Sequence, residues 1–329
     1  MLKNLIPDRF TWMLLATMVL ASFLPVHGGA ARAFDIFTDV AIAALFFLHG
    51  AKLSREAVVA GITHWRLHLC VLASTFVLFP ILGLLLRPVL GPLVTPDIYA
   101  GVIFLCLLPS TVQSSIAFTS MARGNIPAAV CSASASNLLG IFLTPLLVVL
   151  VMESAGQGGG LSWEAVLDIV LLLLAPFVAG QLMQRWVGGF VRRHTALVRF
   201  VDQGSILLIV YTAFSASVQG GLWKHTPWPV LIGLFVICVV LLTIVLCVTC
   251  FGSRLLGFNK EDEITIVFCG SKKTLASGIP MAKVIFSTQG LGAIVLPLMM
   301  FHQFQLMVCA VIARHYAKRQ EKEEQTVAP

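Results

Sequence analysis

The chain has 329 residues, of which 58% are hydrophobic and only 11% charged, with a mean hydropathy of +0.94. A soluble domain carries roughly a quarter charged residues, so this composition excludes one and marks a protein that crosses the bilayer many times. The formal net charge of +7 does not point to nucleic acid, because the basic residues are scattered between apolar runs and form no stripe or arm.

In chain order, membrane spans are expected near 10–27, 35–51, 65–86, 97–122, 126–152, 163–184, 200–219, 228–252, 262–286 and 288–312. The first follows Lys3 and Arg9, with small residues near Ala31 and Ala33, and has the form of a secretion signal. The later spans require it as a membrane helix, and it is counted as one. Segments 54–64 and 253–261 read as short polar connections, 154–162 (SAGQGGGLS) as a flexible loop, and the closing RQEKEEQTVAP as a disordered polar tail. All eight cysteines lie in apolar segments, which favours packing over a disulfide framework; Cys247 and Cys250 have redox-motif spacing but no second pair.

Ten spans predict a charge asymmetry. With both termini cytoplasmic, sixteen of the twenty-two basic residues fall on the cytoplasmic side, and only Arg32, Arg87, Lys224 and Lys283 fall outside. Lys272 and Lys273 belong to neither side. They lie about ten residues from either end of their span, about 15 Å along a helix, too far to reach the interface comfortably. An intramembrane lysine costs on the order of 3 kcal/mol on insertion scales, so both need partners or a wet cavity.

Loop 154–162 divides the chain into five spans and five, and an odd number per half makes any repeat an inverted one. The expected organisation is therefore 1–153 as a first repeat, 154–162 as an external loop, 163–316 as a second repeat and 317–329 as a polar cytoplasmic tail. VIFLC at 102–106 matches IVFC at 266–269, and each precedes a break rich in hydroxyl residues. In the fourth span Pro109 removes a backbone donor, and Ser110, Thr111, Gln113, Ser114 and Ser115 follow. In the ninth the break is Gly270-Ser271-Lys272-Lys273-Thr274. Irregular backbone survives at membrane depth only inside protein or beside a wet cavity, so paired breaks point to a solute site. The adjacent lysines point about 100° apart and are expected to do two jobs: binding an anion, and neutralising the carbonyl end of a half-helix. The fifth span adds CSASASN, with Ser132 and Ser136 on one face and Ser134 and Asn137 on another; close packing and a polar site wall are both open readings. His302, Gln303 and Gln305 read as packing or hydrogen-bond structure, and His49, Asp168 and Asp202 as interfacial.

The motifs FFLHGAKLSREA, LPSTVQSSIAFTSMARGN, CSASAS and VFCGSKKTLASGIPMA resemble the bile acid:sodium symporter superfamily, in its bacterial YfeH-like (SBF-like) branch, over nearly the whole chain. The resemblance implies an all-α polytopic fold of ten transmembrane helices in two inverted five-helix repeats, with broken helices 4 and 9 crossing at the midplane. It implies a core of spans 3–5 and 8–10 moving against a panel of spans 1, 2, 6 and 7, and organic anions as cargo, usually with sodium. The family's sodium ligands are incompletely matched: its Ser-Asn pair corresponds to Ser114-Ser115, its fifth-helix hydroxyls to Ala129 and Ala133, and its glutamate and glutamine to Val267 and Ser271. Fixed ammonium groups beside that site oppose sodium by Coulomb repulsion.

The expectation is a secondary transporter of a small organic anion in the inner (plasma) membrane, working by alternating access, with proton-linked or ion-independent coupling favoured over Na+. The expected site is Gln113, Ser114, Ser115, Ser132, Ser134, Ser136, Asn137, Ser271, Lys272, Lys273 and Thr274. No metal or other cofactor and no nucleic-acid partner are expected. The alternative is a non-transporting membrane regulator or scaffold that retains the fold. An intramembrane enzyme is not expected, because the spans hold no paired aspartates, serine–histidine arrangement or metal cluster.

Overall fold

In the computed structural model, which describes residues 9–52, 64–152, 163–286 and 290–327, the apolar runs become helices, and there is no strand among the described residues. Leaving single turns unlabelled, these are α1 (Arg9–Phe23), α2 (Gly28–Lys52), α3 (Trp65–Leu85), α4 (Pro96–Leu107), α5 (Gln113–Met121) and α6 (Ile126–Met152). They continue as α7 (Trp163–Leu182), α8 (Gln184–Arg193), α9 (Thr195–Gln219), α10 (Trp228–Leu255), α11 (Lys260–Gly270), α12 (Leu275–Ile285) and α13 (Leu291–Val327). Five of them, α3, α6, α9, α10 and the Leu291–Lys318 part of α13, are long and apolar enough to cross a membrane; Trp12–Phe23, Pro96–Leu107 and Leu173–Leu182 are shorter apolar helices. The protein is an all-α, multi-pass membrane protein.

Helix starts follow local chemistry. Thr95 accepts from Ile98 N at the start of α4, Asn125 from Ala128 N at α6, Asn259 from Asp262 N at α11 and Thr274 from Ser277 N at α12. Pro96 and Pro127 sit in first turns, where no amide donor is missed, and Glu261, Asp262 and Glu263 complement the positive end of α11.

Three departures from the sequence reading stand out. Residues 184–193, expected to connect spans, form the amphipathic α8, whose Val187 and Val191 pack with Leu48, Ala51 and Val198 while Trp186 and Phe190 are exposed. The polar tail continues α13 as helix to Val327, in keeping with the helix-forming Arg, Gln, Glu and Lys that compose it. Span three contains a π turn over Ser74–Leu78. The connection at 54–63 and the loop at 154–162 lie outside the described residues.

The helices pack as two groups. In one, α1 lies along α9, α2 along α7, and α2 against α9; in the other, α3 to α6 and α10 to α13 enclose α4, α5, α11 and α12. The first helix is integral to its group: Tyr211 Oη donates to Leu24 O, Gln219 Nε2 to Val26 O and Trp223 Nε1 to Ser22 Oγ. The groups meet through α7 on α6 and α12, and α9 on α12 and α13. A 2.7 Å ion pair from Lys283 on α12 to Asp35 on α2 joins them, as does a 2.7 Å bond from Gly292 N to Ser217 Oγ.

Glycines set the closest approach within the first group. A Cβ on Gly50 would lie 2.0 Å from Phe177 O, and one on Gly180 would lie 2.0 Å from Phe47 O. Each helix thus presses its backbone into the other, as small residues allow in lipid. Gly50→Ala and Gly180→Ala are expected to destabilise by about 1–3 kcal/mol through overpacking, read as a lowered Tm of the purified protein. Gly189→Ala, whose Cβ meets nothing within 4 Å inside α8, should not lower Tm and is expected to raise it slightly through helix propensity.

Candidate functional site

Both predicted breaks are present, and they meet. Helix α4 stops at Leu107 because Leu108, forced out of the helical region by Pro109, is extended (φ −76°, ψ 153°). The chain resumes as α5 at Gln113. Helix α11 stops at Gly270 and resumes as α12 after Thr274. The two irregular segments bond directly, Thr274 N donating to Pro109 O at 3.0 Å.

A helix that ends inside a hydrocarbon-bounded body leaves its last four carbonyls without amide partners. At α11 Ser271 N still reaches Val267 O at 3.2 Å, and side-chain hydroxyls reach all four. Ser271 Oγ donates to Val267 O, Ser115 Oγ to Phe268 O at 3.1 Å, Ser110 Oγ to Cys269 O and Ser74 Oγ to Gly270 O at 2.9 Å. At α4 the solution differs. Leu108 N turns back to Leu105 O, Thr144 Oγ1 donates to Leu107 O at 2.9 Å, and a lysine takes Cys106 O.

That lysine is Lys273, which is fully buried. Its Nζ donates to Cys106 O at 2.9 Å, to Leu108 O at 2.6 Å and to Thr75 O, on the π turn of α3, at 2.8 Å. It lies 4.1 Å from the centroid of the Phe79 ring. Gln305 pins the same residue's backbone from both sides, accepting from Lys273 N at 2.9 Å and donating to Lys273 O at 3.0 Å. His302 Nδ1 contacts the Gln305 amide at 3.0 Å. Lys272, equally buried, takes the other direction. Its Nζ donates to Ser114 O at 3.0 Å and lies 3.8 Å from the centroid of Phe118 and 5.2 Å from that of Phe268. The two ammonium groups therefore reach different helices, Lys273 the end of α4 and the π turn of α3, Lys272 the start of α5.

Most of the expected site residues gather at this crossing. Ser114 and Ser115 contribute as above, and Ser114 Oγ pairs with Thr111 Oγ1 at 2.8 Å. Ser136 Oγ accepts from Ser110 N at 3.0 Å, and Asn137 Oδ1 accepts from Ser277 Oγ at 3.0 Å. Thr274 caps α12 and Ser271 caps α11. Gln113 is exposed at the start of α5. Ser132 is turned to α3, where its Oγ lies 2.6 Å from His68 Nδ1, and Ser134, half-buried, takes no part in the crossing's hydrogen bonds. Missing from the expected set were Ser74 and Thr75 of α3, Ser110, Thr144, Ser277 and Gln305. Pro80 beside the π turn was the available sign for the first two.

The two half-helices beyond the breaks have unequal surroundings. Every residue of α12 is buried or half-buried, and α12 packs on α7, α9 and α13. Helix α5 packs on α6, α11 and α13 and leaves Gln113, Ala117, Ser120 and Met121 exposed. The crossing is thus walled on the Lys283 side and more open toward the end that carries Arg66, Arg123 and Arg254.

A multi-pass helical protein with two interrupted helices joined at their breaks is built as membrane carriers are built. Residues 8–318 match the model of the SBF-like CPA transporter family, and the chain belongs to that family. It is 61% identical over 316 residues to an uncharacterized protein of Pseudomonas aeruginosa, covering 96% of this chain and 95% of that one. It is 57% identical over 315 residues to the putative symporter YfeH of Escherichia coli (96% and 94% covered). It is 26% identical over 291 residues to sodium/bile acid cotransporter 7 of Rattus norvegicus (87% and 85% covered). These relationships place it among secondary transporters and not among enzymes.

The capping scheme can be tested by deletion. Ser110→Ala leaves the buried Cys269 carbonyl without its donor and is expected to cost about 1–3 kcal/mol. Ser134→Ala should change stability by less than about 0.5 kcal/mol, with thermal unfolding in one detergent comparing the two.

Proposed function

We propose that the chain moves a small organic anion across the inner (plasma) membrane by alternating access, with both termini cytoplasmic. The observation that carries this reading is the meeting of two broken helices, their ends capped by side chains within the protein and bearing two buried lysines. Such an arrangement gives a solute polar backbone and charge at a depth where lipid supplies neither.

Packing supports ten spans in two inverted repeats, with α4–α5 and α11–α12 each counted as one span and α8 lying at the surface. Three pairings within the groups have counterparts: α1 with α9 and α7 with α2, α3 with α6 and α10 with α13, α3 with α4 and α10 with α11. On this reading α1, α2, α7 and α9 form the panel and the other spans form the core. The side closed by Lys283–Asp35 and Gly292–Ser217 is external, and the side open beside α5 is cytoplasmic.

The anion class rests on the positive charge at the crossing and on the names of relatives, which include bile acid cotransporters. The coupling reading rests on the lysines. Fixed ammonium groups stand where sodium would otherwise be drawn, which favours ion-independent or proton-linked transport. Lys272, with a single carbonyl partner in view, is the better placed of the two to meet a solute.

The test is a thermal-shift screen of purified protein against carboxylates, sulfonates and steroid conjugates, followed by uptake of each stabilising compound into proteoliposomes. An anion is expected to raise Tm by linkage and to accumulate without a sodium gradient, and Lys272→Met is expected to reduce uptake at least tenfold. Sodium-dependent uptake that survives both Lys272→Met and Lys273→Met would sink the coupling reading. A folded protein that binds and accumulates none of the anions favours the scaffold alternative.

A further inference from the structure

We infer that Lys273 is the tethered occupant of a monovalent-cation site built from the carbonyl oxygens of Thr75, Cys106 and Leu108, and that removing its side chain opens this site to a free alkali cation. The inference rests on the transport reading only for its bearing on coupling; the site itself is defined by backbone geometry.

Each of the three oxygens has lost its main-chain donor for a reason legible in the covalent chain. In an ordinary helix Thr75 O would bond the amide of Phe79, but in the π turn that amide bonds Ser74 O. The next residue, Pro80, has no amide hydrogen to offer in its place. Cys106 O would bond the amide of Ser110, which instead donates to Ser136 Oγ, and Pro109 again offers nothing one residue earlier. Leu108 is itself extended, so its carbonyl leaves the helix altogether. Two prolines and one π turn thus aim three stripped carbonyls at one point.

What fills that point is a cation. An ammonium has three N–H donors, and three acceptors lie 2.6–2.9 Å from Lys273 Nζ. A neutral amine would have only two donors and would turn its lone pair on the third carbonyl. All the donors are used, so this lysine has none left for a substrate anion, and its charge is held in place. The negative end of α4 and the face of Phe79 add to the hold. Clusters of backbone carbonyls are also how proteins replace the hydration shell of alkali ions.

The site is expected to outlast its occupant. Gln305 grips the backbone of residue 273, not its side chain, so truncation at Cβ leaves that clamp in place. Lys272 provides the contrast, with one carbonyl and two aromatic rings around its ammonium and no three-oxygen cage.

The experiment measures thermal unfolding of the purified full chain in lithium, sodium, potassium or rubidium chloride against choline chloride at equal ionic strength. The unsubstituted protein should unfold at the same temperature in all five. Lys273→Ala should be less stable in choline and show a saturable rise of several degrees with at least one alkali ion. Lys273→Met, whose apolar stem fills the space, and Lys272→Ala should show no such rise. A folded Lys273→Ala without alkali-specific stabilisation overturns the inference, and so does an equal rise in Lys272→Ala. Recovery of Lys273→Ala only when an alkali ion is present during extraction supports it, and failure to fold in every salt overturns it. The readout needs no substrate, so an absence of transport and an absence of a cation site are distinguishable.

Discussion

The structure depends on one constraint: a carbonyl oxygen that leaves a helix inside a lipid-bounded body must find a donor within the protein. Breaking two helices near their middles strips the amide donors from a cluster of such oxygens at the crossing, and the polar residues there are explained largely by that demand. Serines of α3, α5 and the two breaks close the end of α11, while Thr144 and Lys273 close the end of α4. Polar side chains that would read as a ligand shell are thus first a structural necessity. On the transport reading proposed above, what is left for a solute is the part of the crossing that capping does not consume, beside Lys272 and Gln113.

The division into two helix groups follows from how each buries its surface. In the group of α1, α2, α7 and α9, backbone meets backbone through Gly50 and Gly180, a contact with little freedom to slide. The other group is knit by the crossing and by an ion cluster at its arginine-rich end. There Glu263, almost wholly buried, accepts from Arg254, Lys260 and Tyr316. Between the groups the contacts are fewer in kind, chiefly packing together with the Lys283–Asp35 pair and the Ser217 bond. Strong cohesion within each and lighter joining between them is the mechanical condition for one to move against the other.

Much of this was legible in the sequence because hydrocarbon allows few solutions. Apolar runs gave the helices, Pro109 and Gly270 gave the two breaks, and the failure of Lys272 and Lys273 to fit any topology marked the crossing. The expectation that one lysine neutralises a half-helix end is met by Lys273 at α4. The features that escaped were those whose signal is spread over tertiary partners. The π turn of α3 shows in the chain only as Pro80, an ordinary residue for a membrane helix. Gln305 lies thirty-two residues from the amide it clamps, and nothing local distinguishes it from a packing glutamine. Helix α8 was lost because its arginines read as connection, although its valines recur at helical spacing. The polarity of the terminal segment suggests disorder, while the helix-forming preference of the residues that compose it favours the helix that runs to Val327.

Helix α8 also has a consequence for the frame of reference of the whole molecule. It packs along α2, its valines seated beside Leu48 and Ala51, while Trp186, with Arg185 against its ring, and Phe190 face outward. An amphipathic helix with aromatic and arginine side chains on its free face settles at the level of lipid headgroups. The glycine-locked group is thereby moored at a set height in the membrane. On the alternating-access reading proposed above, the crossing lies in the group without that helix, and its two lysines would shift against a wall held at one height.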